Sequence, residues 1–400
     1  MSATPDPFFE LTSDSEWNAC IGRQATAENY VDGYIEAAIE LASAVIDKRL
    51  HGQRDTLAMP ILYNARHGLE LALKLATNRL HDMGAIAQTH PKDHDIRSHW
   101  EHLDKERVGD VAVRRLVVAL QPSVDSLAKI DDDGQELRYA ENRDGGKSLE
   151  DRALANIAVM RDAVIALGKI MEALKYRVVE LADERATGTF TQECSRTDLI
   201  AIAERLPPVD QWRNTVFDDA KAAVMADFGL SGKKFSAAID AIKSSRETCR
   251  RIGQMTPLTH LADAHAIFAI EQWARCHPLK DKDDGLGLDY GAPRDFEAAA
   301  GRHAIEAAAI EAISKTLSLD EIADLEAVYQ IGRHREFAEH YDRVLKLACG
   351  RRRLEGDDLL EAIHYLLTKT NLQTGIARGL VILGRPDLAP LIEAVARGPA

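Results

Sequence analysis

Apolar residues recur every three or four positions along most of this 400-residue chain, which is the period of amphipathic α-helices. The first regular segment follows Thr26, whose side chain suits a helix N-cap. A second helix is predicted over about 56–82, and the Gly84–Pro91 segment ends it. The same pattern predicts later helices at about 93–107, 110–130, 148–186, 197–206, 209–228, 233–252, 257–276, 293–316, 318–331, 333–349, 355–370 and 374–398. The predicted fold class is therefore all-α.

Capping and breaking residues support several of these boundaries. Ser148 with Asp151, and Ser318 with Glu321, have the three-residue spacing of a capping box. Pro207 enforces a helix stop because proline cannot continue the hydrogen-bond pattern. These signals predict that long helices open at residues 148 and 318.

The irregular stretches predict the domain organisation. Glycine-containing turns flank residues 136–139, which predicts a short extended excursion or hairpin. Residues 187–194 are small, β-prone and unhelical, so we place a domain boundary there. The Pro278–Gly291 segment is predicted to be a long, mobile loop. The predicted organisation is an N-terminal arm at 1–25, a helical bundle at 26–190 and a second helical domain at 195–400.

The composition is that of an ordinary globular protein, with 46% hydrophobic and 28% charged residues. A net charge of −14 at pH 7 argues against a surface that coats nucleic acid non-specifically. The five cysteines are scattered and form no Cys-x-x-Cys pair, which predicts reduced thiols and a cytoplasmic location. We expect no signal peptide and no membrane association, because the sequence has neither a leader pattern nor an apolar run of spanning length.

An ordered set of motifs carries a family resemblance. The helix at 56–82 contains Arg66-His67-x-x-Glu70-x-x-x-Lys74, and His94-Asp95-Ile96 opens the next helix. The Leu137-Arg138-Tyr139 excursion and the long helix at 148–186 follow. In this order the motifs resemble the HEPN superfamily, the higher-eukaryote and prokaryote nucleotide-binding helical domains, over residues 26–190.

The resemblance implies an HEPN-like antiparallel helical bundle and a role in bacterial antiphage, toxin–antitoxin or stress-response systems. Many relatives are endoribonucleases that need no metal and that dimerise to build one site from two chains. The resemblance thus implies a homodimer without a cofactor that acts on RNA, for instance tRNA, or on a nucleotide ligand. The candidate RNA- or nucleotide-binding residues are Arg66, His67, Glu70, Lys74, Arg333 and Tyr341.

The catalytic relatives carry an arginine followed, after four to six residues, by a histidine. An imidazole can move the proton of a ribose 2′-hydroxyl, and a guanidinium can neutralise the charge growing on phosphoryl oxygens. Arg97 with His102, and Arg335 with His340, have this spacing, and Arg333 reaches His340 at the longer limit. Chance alone yields about three or four such pairs in a chain of this composition, so the count of pairs does not decide between them.

Two alternatives remain open from the sequence. Arg66, Glu70 and Lys74 share one helix face, so they form either a salt-bridge ladder or one wall of a phosphate-binding groove. The predicted helix at 148–186 contains no histidine, although in catalytic relatives the pair tends to lie on the last helix. This departure favours a second hypothesis, a non-catalytic helical adaptor that binds a partner protein in a multi-component system.

Metal and nucleotide-hydrolysis chemistry are not predicted. His94 and His99 lie five residues apart, which is not the i,i+4 spacing that brings two imidazoles to one ion. Asp95 and His99 have that spacing but form an incomplete ligand set. The sequence contains neither a phosphate-binding Gly-x-x-x-x-Gly-Lys loop nor a Gly-x-Gly-x-x-Gly loop. We therefore expect no metal and no cofactor.

Overall fold

The computed structural model describes residues 6, 8–9, 14–141, 146–149, 154–278, 296–355 and 359–397. Within these ranges every regular element is a helix, apart from one isolated bridge between Glu141 and Lys147. The predicted all-α fold class is confirmed. The chain divides into two compact units, Met1–Asp183 and Glu184–Ala400, a few residues before the boundary that we placed at 187–194.

The N-terminal unit is built from five helices, and its arm is only partly within the described residues. Residues 14–24 of the arm carry a single short 3₁₀ turn at Gly22–Gln24. The five helices are α1 (Ala27–Asp47), α2 (Arg54–Asp82), α3 (Ile96–Glu106), α4 (Val111–Ile130) and α5 (Ile157–Ala186). Thr26 caps α1 as predicted, in a capping box with Asn29.

The apolar faces of these helices meet in one core. The helices α1 and α2 pack along their length, and the short connection between them makes the pair antiparallel. A Cβ atom at Gly68 of α2 would lie 3.3 Å from the backbone nitrogen of Ile35, and one at Gly168 of α5 would lie 3.3 Å from the Ile35 side chain. Three helices thus approach closely around Ile35. Among the fully buried core residues are Leu69, Leu73, Leu80, Ile96, Leu103 and Leu120.

The predicted start of the long helix at residue 148 is wrong. Ser148 lies in a turn, and its N–H donates to the carbonyl oxygen of Ala140. The helix α5 begins only at Ile157, because the side chain of Asn156 accepts hydrogen bonds from the N–H groups of Ala158 and Val159. The proposed capping partner Asp151 lies outside the described residues.

The predicted excursion at 136–139 is a tight turn. The carboxylate of Asp131 accepts hydrogen bonds from the N–H groups of Gln135, Glu136 and Leu137. The N–H groups of residues 138 and 139 both donate to the carbonyl oxygen of Gln135. An aspartate at the end of α4 thus organises the turn locally.

The C-terminal unit contains the remaining helices and two apolar cores. The helices are α6 (Arg196–Arg205), α7 (Thr215–Phe228), α8 (Gly232–Ser244), α9 (Arg246–Arg251), α10 (Asp263–Cys276), α11 (Phe296–Thr316), α12 (Leu319–His334), α13 (Tyr341–Glu355), α14 (Leu359–Leu367), α15 (Leu372–Ile382) and α16 (Ala389–Glu393). The first core joins α6 to α9, and the second surrounds α12, which is buried at almost every residue from Ile322 to Gly332.

Several predicted helices of this unit are shorter or interrupted. The predicted helix at 233–252 is two helices, since Ser245 adopts an extended conformation between α8 and α9. The cap of α6 is Ser195, in a capping box with Asp198, and not Thr197. The predicted helix at 333–349 begins only at 341, because α12 continues to residue 334 and Arg335 then adopts a left-handed conformation with φ of 55°.

The other predicted boundaries of this unit were also too wide. The predicted helix at 209–228 is a 3₁₀ turn followed by α7, and the one at 374–398 is split into α15 and α16. The helix predicted from residue 257 begins at Asp263. Beyond Pro278, the loop predicted at 278–291 lies outside the described residues. Among the helices that are described, none has both the length and the hydropathy to cross a bilayer.

The helices α12 and α15 are in backbone contact through three glycines. A Cβ atom at Gly332 would overlap the carbonyl oxygen of Gly375 and the backbone of Gly379. Neither helix can accommodate that atom without moving away from the other, since the obstacle is main chain and not a flexible side chain.

We expect Gly332→Ala to lower the free energy of unfolding of the C-terminal unit by about 3 kcal/mol, at the upper end of overpacking effects. Hydrogen exchange monitored by mass spectrometry should show faster exchange in α12 and α15. The matched control is Gly301→Ala in α11, where a Cβ atom meets nothing within 4 Å. That control should be neutral or stabilising by up to about 1 kcal/mol, because alanine favours helix. Equal effects of the two substitutions would contradict the backbone contact.

Candidate functional site

A buried arginine organises one end of the N-terminal unit. The Arg66 side chain, 1% exposed, donates from Nη1 to Glu70 Oε2 at 2.8 Å. Its Nε donates to the carbonyl oxygen of Asp131 at 2.8 Å, and its Nη2 donates to the carbonyl oxygens of His94 at 2.5 Å and Asp132 at 2.9 Å. All three guanidinium nitrogens are thus occupied by groups of the same chain.

Glu70 is equally enclosed, with a side chain that is 2% exposed. Its Oε1 accepts hydrogen bonds from Lys74 Nζ at 2.7 Å and from His94 Nδ1 at 2.9 Å. Burial favours the neutral carboxyl, but the neighbouring donors of His67, Lys74, Arg66 and His94 outweigh it and hold the pKa of Glu70 far below its ordinary value. Glu70 is therefore ionised in the folded protein at neutral pH.

We call Arg66, Glu70, Lys74 and His94 the clamp. Lys74 Nζ also donates to the carbonyl oxygen of Asp93 at 2.5 Å, so the clamp holds the main chain just before α3. The Arg66 and Glu70 side chains of α2 thus lie beside the start of the His94 segment. Of the two alternatives for this helix face, the contacts match the salt-bridge ladder, and they leave Arg66 no edge for a phosphate.

His67 lies beside the clamp, and its ring packs against two tyrosine rings. Its ring is perpendicular to that of Tyr34 at 4.4 Å and parallel to that of Tyr63 at 5.7 Å. The His67 side chain is 23% exposed, with Nδ1 3.9 Å from Glu70 Oε2. His67 is therefore packed between two tyrosine rings, as a structural residue is.

The predicted pair Arg97 and His102 makes contacts in different directions. Arg97 Nη1 donates to Asp125 Oδ1 on α4 at 2.6 Å. His102 Nε2 lies 3.0 Å from the carbonyl oxygen of Gln88, in the connection before α3. Because the two residues are five positions apart, they project from different sides of α3 and have different partners.

The pair Arg335 and His340 lies at the junction of α12 and α13. Arg335 is exposed at the left-handed residue that ends α12, whereas His340 Nδ1 lies 3.2 Å from Glu336 Oε2. Arg333 is exposed as well, and its guanidinium lies 5.9 Å from the Tyr329 ring centre. This junction presents two accessible cations beside a paired histidine.

Tyr341, a candidate RNA- or nucleotide-binding residue, is not accessible to such a ligand. Its side chain is fully buried, with the hydroxyl donating to Asp324 Oδ1 at 2.5 Å and accepting from the N–H of Thr259 at 2.8 Å. Burial and the neighbouring Asp324 carboxylate raise the pKa of Tyr341. The Arg246 guanidinium covers the ring at 4.5 Å. This tyrosine is a core residue. The sequence could not show this, because the position of a residue in a helical register does not reveal which face of the helix is buried.

Another cluster was missed by the sequence reasoning. His90, Asp93 and His99 come together before and within α3, with one nitrogen or carboxylate oxygen of each lying within 4.8 Å of those of the others. Spacing along one helix could not reveal it, since two of its members lie in the connection between α2 and α3. The usable signal was the His-x-x-Asp pair immediately before a histidine-bearing helix.

No family model, curated protein or solved structure matches this chain. The resemblance to the HEPN superfamily therefore rests on the order of the sequence motifs alone.

We expect Glu70→Gln to lower the free energy of unfolding at pH 7 by about 3 kcal/mol. It removes the carboxylate nearest to buried Arg66 and leaves only that of Asp131, at 3.7 Å, as counter-charge. Folded Glu70 binds a proton less readily than unfolded Glu70, whose pKa is about 4.5. The contribution of its charge is thus complete above that value and lost as the pH falls below it. In urea unfolding experiments below pH 4.5, the difference in the free energy of unfolding between wild type and Glu70→Gln should therefore become smaller.

The matched control is Glu311→Gln, which removes a glutamate from another i,i+4 pair with lysine. Glu311 and Lys315 are both largely exposed, so this substitution should leave stability essentially unchanged at every pH. Two outcomes would contradict a stabilising role of the clamp. One is that Glu311→Gln destabilises the protein as much as Glu70→Gln does. The other is that the stability difference between wild type and Glu70→Gln stays constant in acid.

Proposed function

We propose that this protein is a non-catalytic helical adaptor of a multi-component defence or stress-response system, with an HEPN-like N-terminal bundle. The supporting observation is that most side chains predicted to bind or cleave RNA bind or pack against other groups of this chain instead. In this proposal the protein is cytoplasmic, forms a homodimer and binds a partner protein. The family context comes from the resemblance of the motifs.

The clamp residues support a structural role for the motif that carries the resemblance. A phosphate-binding arginine needs two donors that point to solvent, whereas Arg66 is 1% exposed and donates to four acceptors of its own chain. Lys74 donates to Glu70 and to the Asp93 carbonyl. What these residues do is fix the start of α3 and the turn after α4.

The contacts of the Arg97–His102 pair support the same conclusion. A general base and the cation that neutralises the phosphoryl group must meet at one substrate. Arg97 Nη1 donates to Asp125 on α4, whereas His102 Nε2 donates to the carbonyl oxygen of Gln88 before α3. The two side chains are thus directed to different segments of the chain.

An adaptor also needs surface on which a partner can bind. The helix α5 exposes Val159, Tyr176 and Val179, and the last two, three residues apart, share one side of the helix. Exposed aromatic and branched side chains on a rigid helix are typical of protein-binding surfaces. The overall charge of −14 further favours a protein partner over a polyanion.

A second candidate function, action on RNA, is favoured by one specific observation. Arg333 and Arg335 are both exposed at the end of α12, and neither has an acidic partner within the described ranges. Two accessible guanidinium groups beside His340 are suitable contacts for phosphates. This candidate confines RNA binding to the junction of α12 and α13.

We expect purified full-length protein to leave total tRNA intact, both in EDTA and without it. Denaturing gels of tRNA incubated with wild type, His102→Ala, His340→Ala and the exposed control His81→Ala should be indistinguishable. Cleavage by wild type and by the control that disappears in His102→Ala or His340→Ala would overturn the adaptor proposal in favour of a ribonuclease.

We expect the double substitution Tyr176→Glu and Val179→Glu to abolish the homodimer and the binding of the partner protein. The helicity and the melting temperature of the chain should stay unchanged. Light scattering would report the homodimer, and copurification at fixed stoichiometry, with a protein-like absorbance ratio, would report the partner. The control is Arg333→Glu with Arg335→Glu, which should leave association intact. If this control instead removed tRNA from a gel shift seen with wild type, the RNA candidate would replace the adaptor.

A further inference from the structure

The cluster of His90, Asp93 and His99 has the dimensions of a metal site. His99 Nε2 lies 3.2 Å from Asp93 Oδ1, and His90 Nδ1 lies 3.9 Å from Asp93 Oδ2. The two imidazole rings are 4.0 Å apart, centre to centre. Zinc binds nitrogen and oxygen ligands at about 2.0–2.2 Å in a tetrahedron, which sets its ligand atoms about 3.3 Å apart. His90 Nδ1 also lies 2.8 Å from the carbonyl oxygen of Pro91, so the His90 ring must turn to present a nitrogen to an ion.

His99 is the buried member of the cluster. Its side chain is 2% exposed, and Nε2 is the ring nitrogen that faces Asp93. The other ring nitrogen, Nδ1, has no hydrogen-bond partner, although buried polar atoms in proteins nearly always have one. Nε2 is therefore the nitrogen that His99 offers to an ion in this cluster.

We propose that His90, Asp93 and His99 bind one divalent transition-metal ion, with zinc preferred, which fixes the connection between α2 and α3. Two imidazoles and one carboxylate are the ligands of zinc and its first-row neighbours, whereas magnesium and calcium take oxygen ligands. Asp93 is 45% exposed and His90 11%, so the ion enters from the Asp93 side. Its fourth position is open to water.

The charges around the cluster are compatible with a cation. Lys74 is the nearest fixed positive charge, and its Nζ binds the Asp93 carbonyl oxygen. Glu70 neutralises Lys74 at 2.7 Å. The Asp93 carboxylate is then the dominant charge that the ion meets, with the imidazoles of His90 and His99 beside it.

The ion and the clamp act on the same stretch of chain. The clamp holds the carbonyl oxygens of Asp93 and His94 against α2, and the ion joins the side chains of His90 and Asp93 to His99 on α3. Metal binding therefore stabilises the N-terminal unit. This inference holds whether the protein is an adaptor or acts on RNA.

The test uses tag-free, full-length protein stripped with EDTA and dialysed. Isothermal titration with zinc chloride should show one ion per chain, and the melting temperature should rise with zinc but not with magnesium. Cobalt(II) should give the visible absorption of a tetrahedral complex. Loss of a residue that hydrogen-bonds to a zinc ligand weakens zinc binding about 10–100-fold. His90→Ala and Asp93→Asn each change a ligand itself, so each should weaken zinc binding about a hundredfold or more.

These two variants change partly exposed positions in a connection, so they should fold, whereas a change at buried His99 is a less informative test. His81→Ala is the control, since His81 is an exposed histidine at the end of α2. It should bind zinc as wild type does. The proposal is overturned if zinc leaves the melting temperature of wild type unchanged, if His90→Ala and Asp93→Asn keep wild-type affinity, or if His81→Ala loses affinity equally.

Discussion

The buried ion pair between Arg66 and Glu70 constrains the whole N-terminal unit. Two charges removed from water cost several kcal/mol each unless every lone pair and proton finds a partner. Glu70 obtains further donors from Lys74 and His94, and Arg66 obtains the carbonyl acceptors of three residues. Those partners lie on the connection before α3 and on the turn after α4. The pair is therefore stable only if both segments are in place, and this makes the fold of distant parts of the sequence interdependent.

The same constraint explains why the turn after α4 has its composition. Asp131 accepts three N–H groups with its carboxylate and presents its carbonyl oxygen to Arg66. Gly134 adopts φ of 80°, and a Cβ atom there would lie 3.1 Å from Arg66 Nη1. Only glycine allows both the left-handed backbone and the approach of the guanidinium. The turn is thus shaped around a buried cation.

The C-terminal unit is held by other means. Asp324, fully buried on α12, accepts hydrogen bonds from the N–H groups of His260 and Leu261 and from the Tyr341 hydroxyl. This carboxylate connects the segment before α10 with the start of α13. Together with the glycine contact between α12 and α15, it makes α12 the centre of the unit. The exposed cations at the end of α12 are consequently carried by a helix that is buried over most of its length.

The sequence by itself determined the helical class, the existence of almost every helix, and the i,i+4 relation of Arg66, Glu70 and Lys74, because these depend on local periodicity and spacing. It could not place the start of α5, where Asn156 rather than Ser148 caps the helix, nor the break at Ser245. Only the tertiary structure decided that Tyr341 is buried and that His90, Asp93 and His99 converge, since burial and convergence depend on which faces meet across the chain. Local sequence fixes which side chains share a helix face, but the long-range packing of the helices determines whether that face is core, clamp or surface.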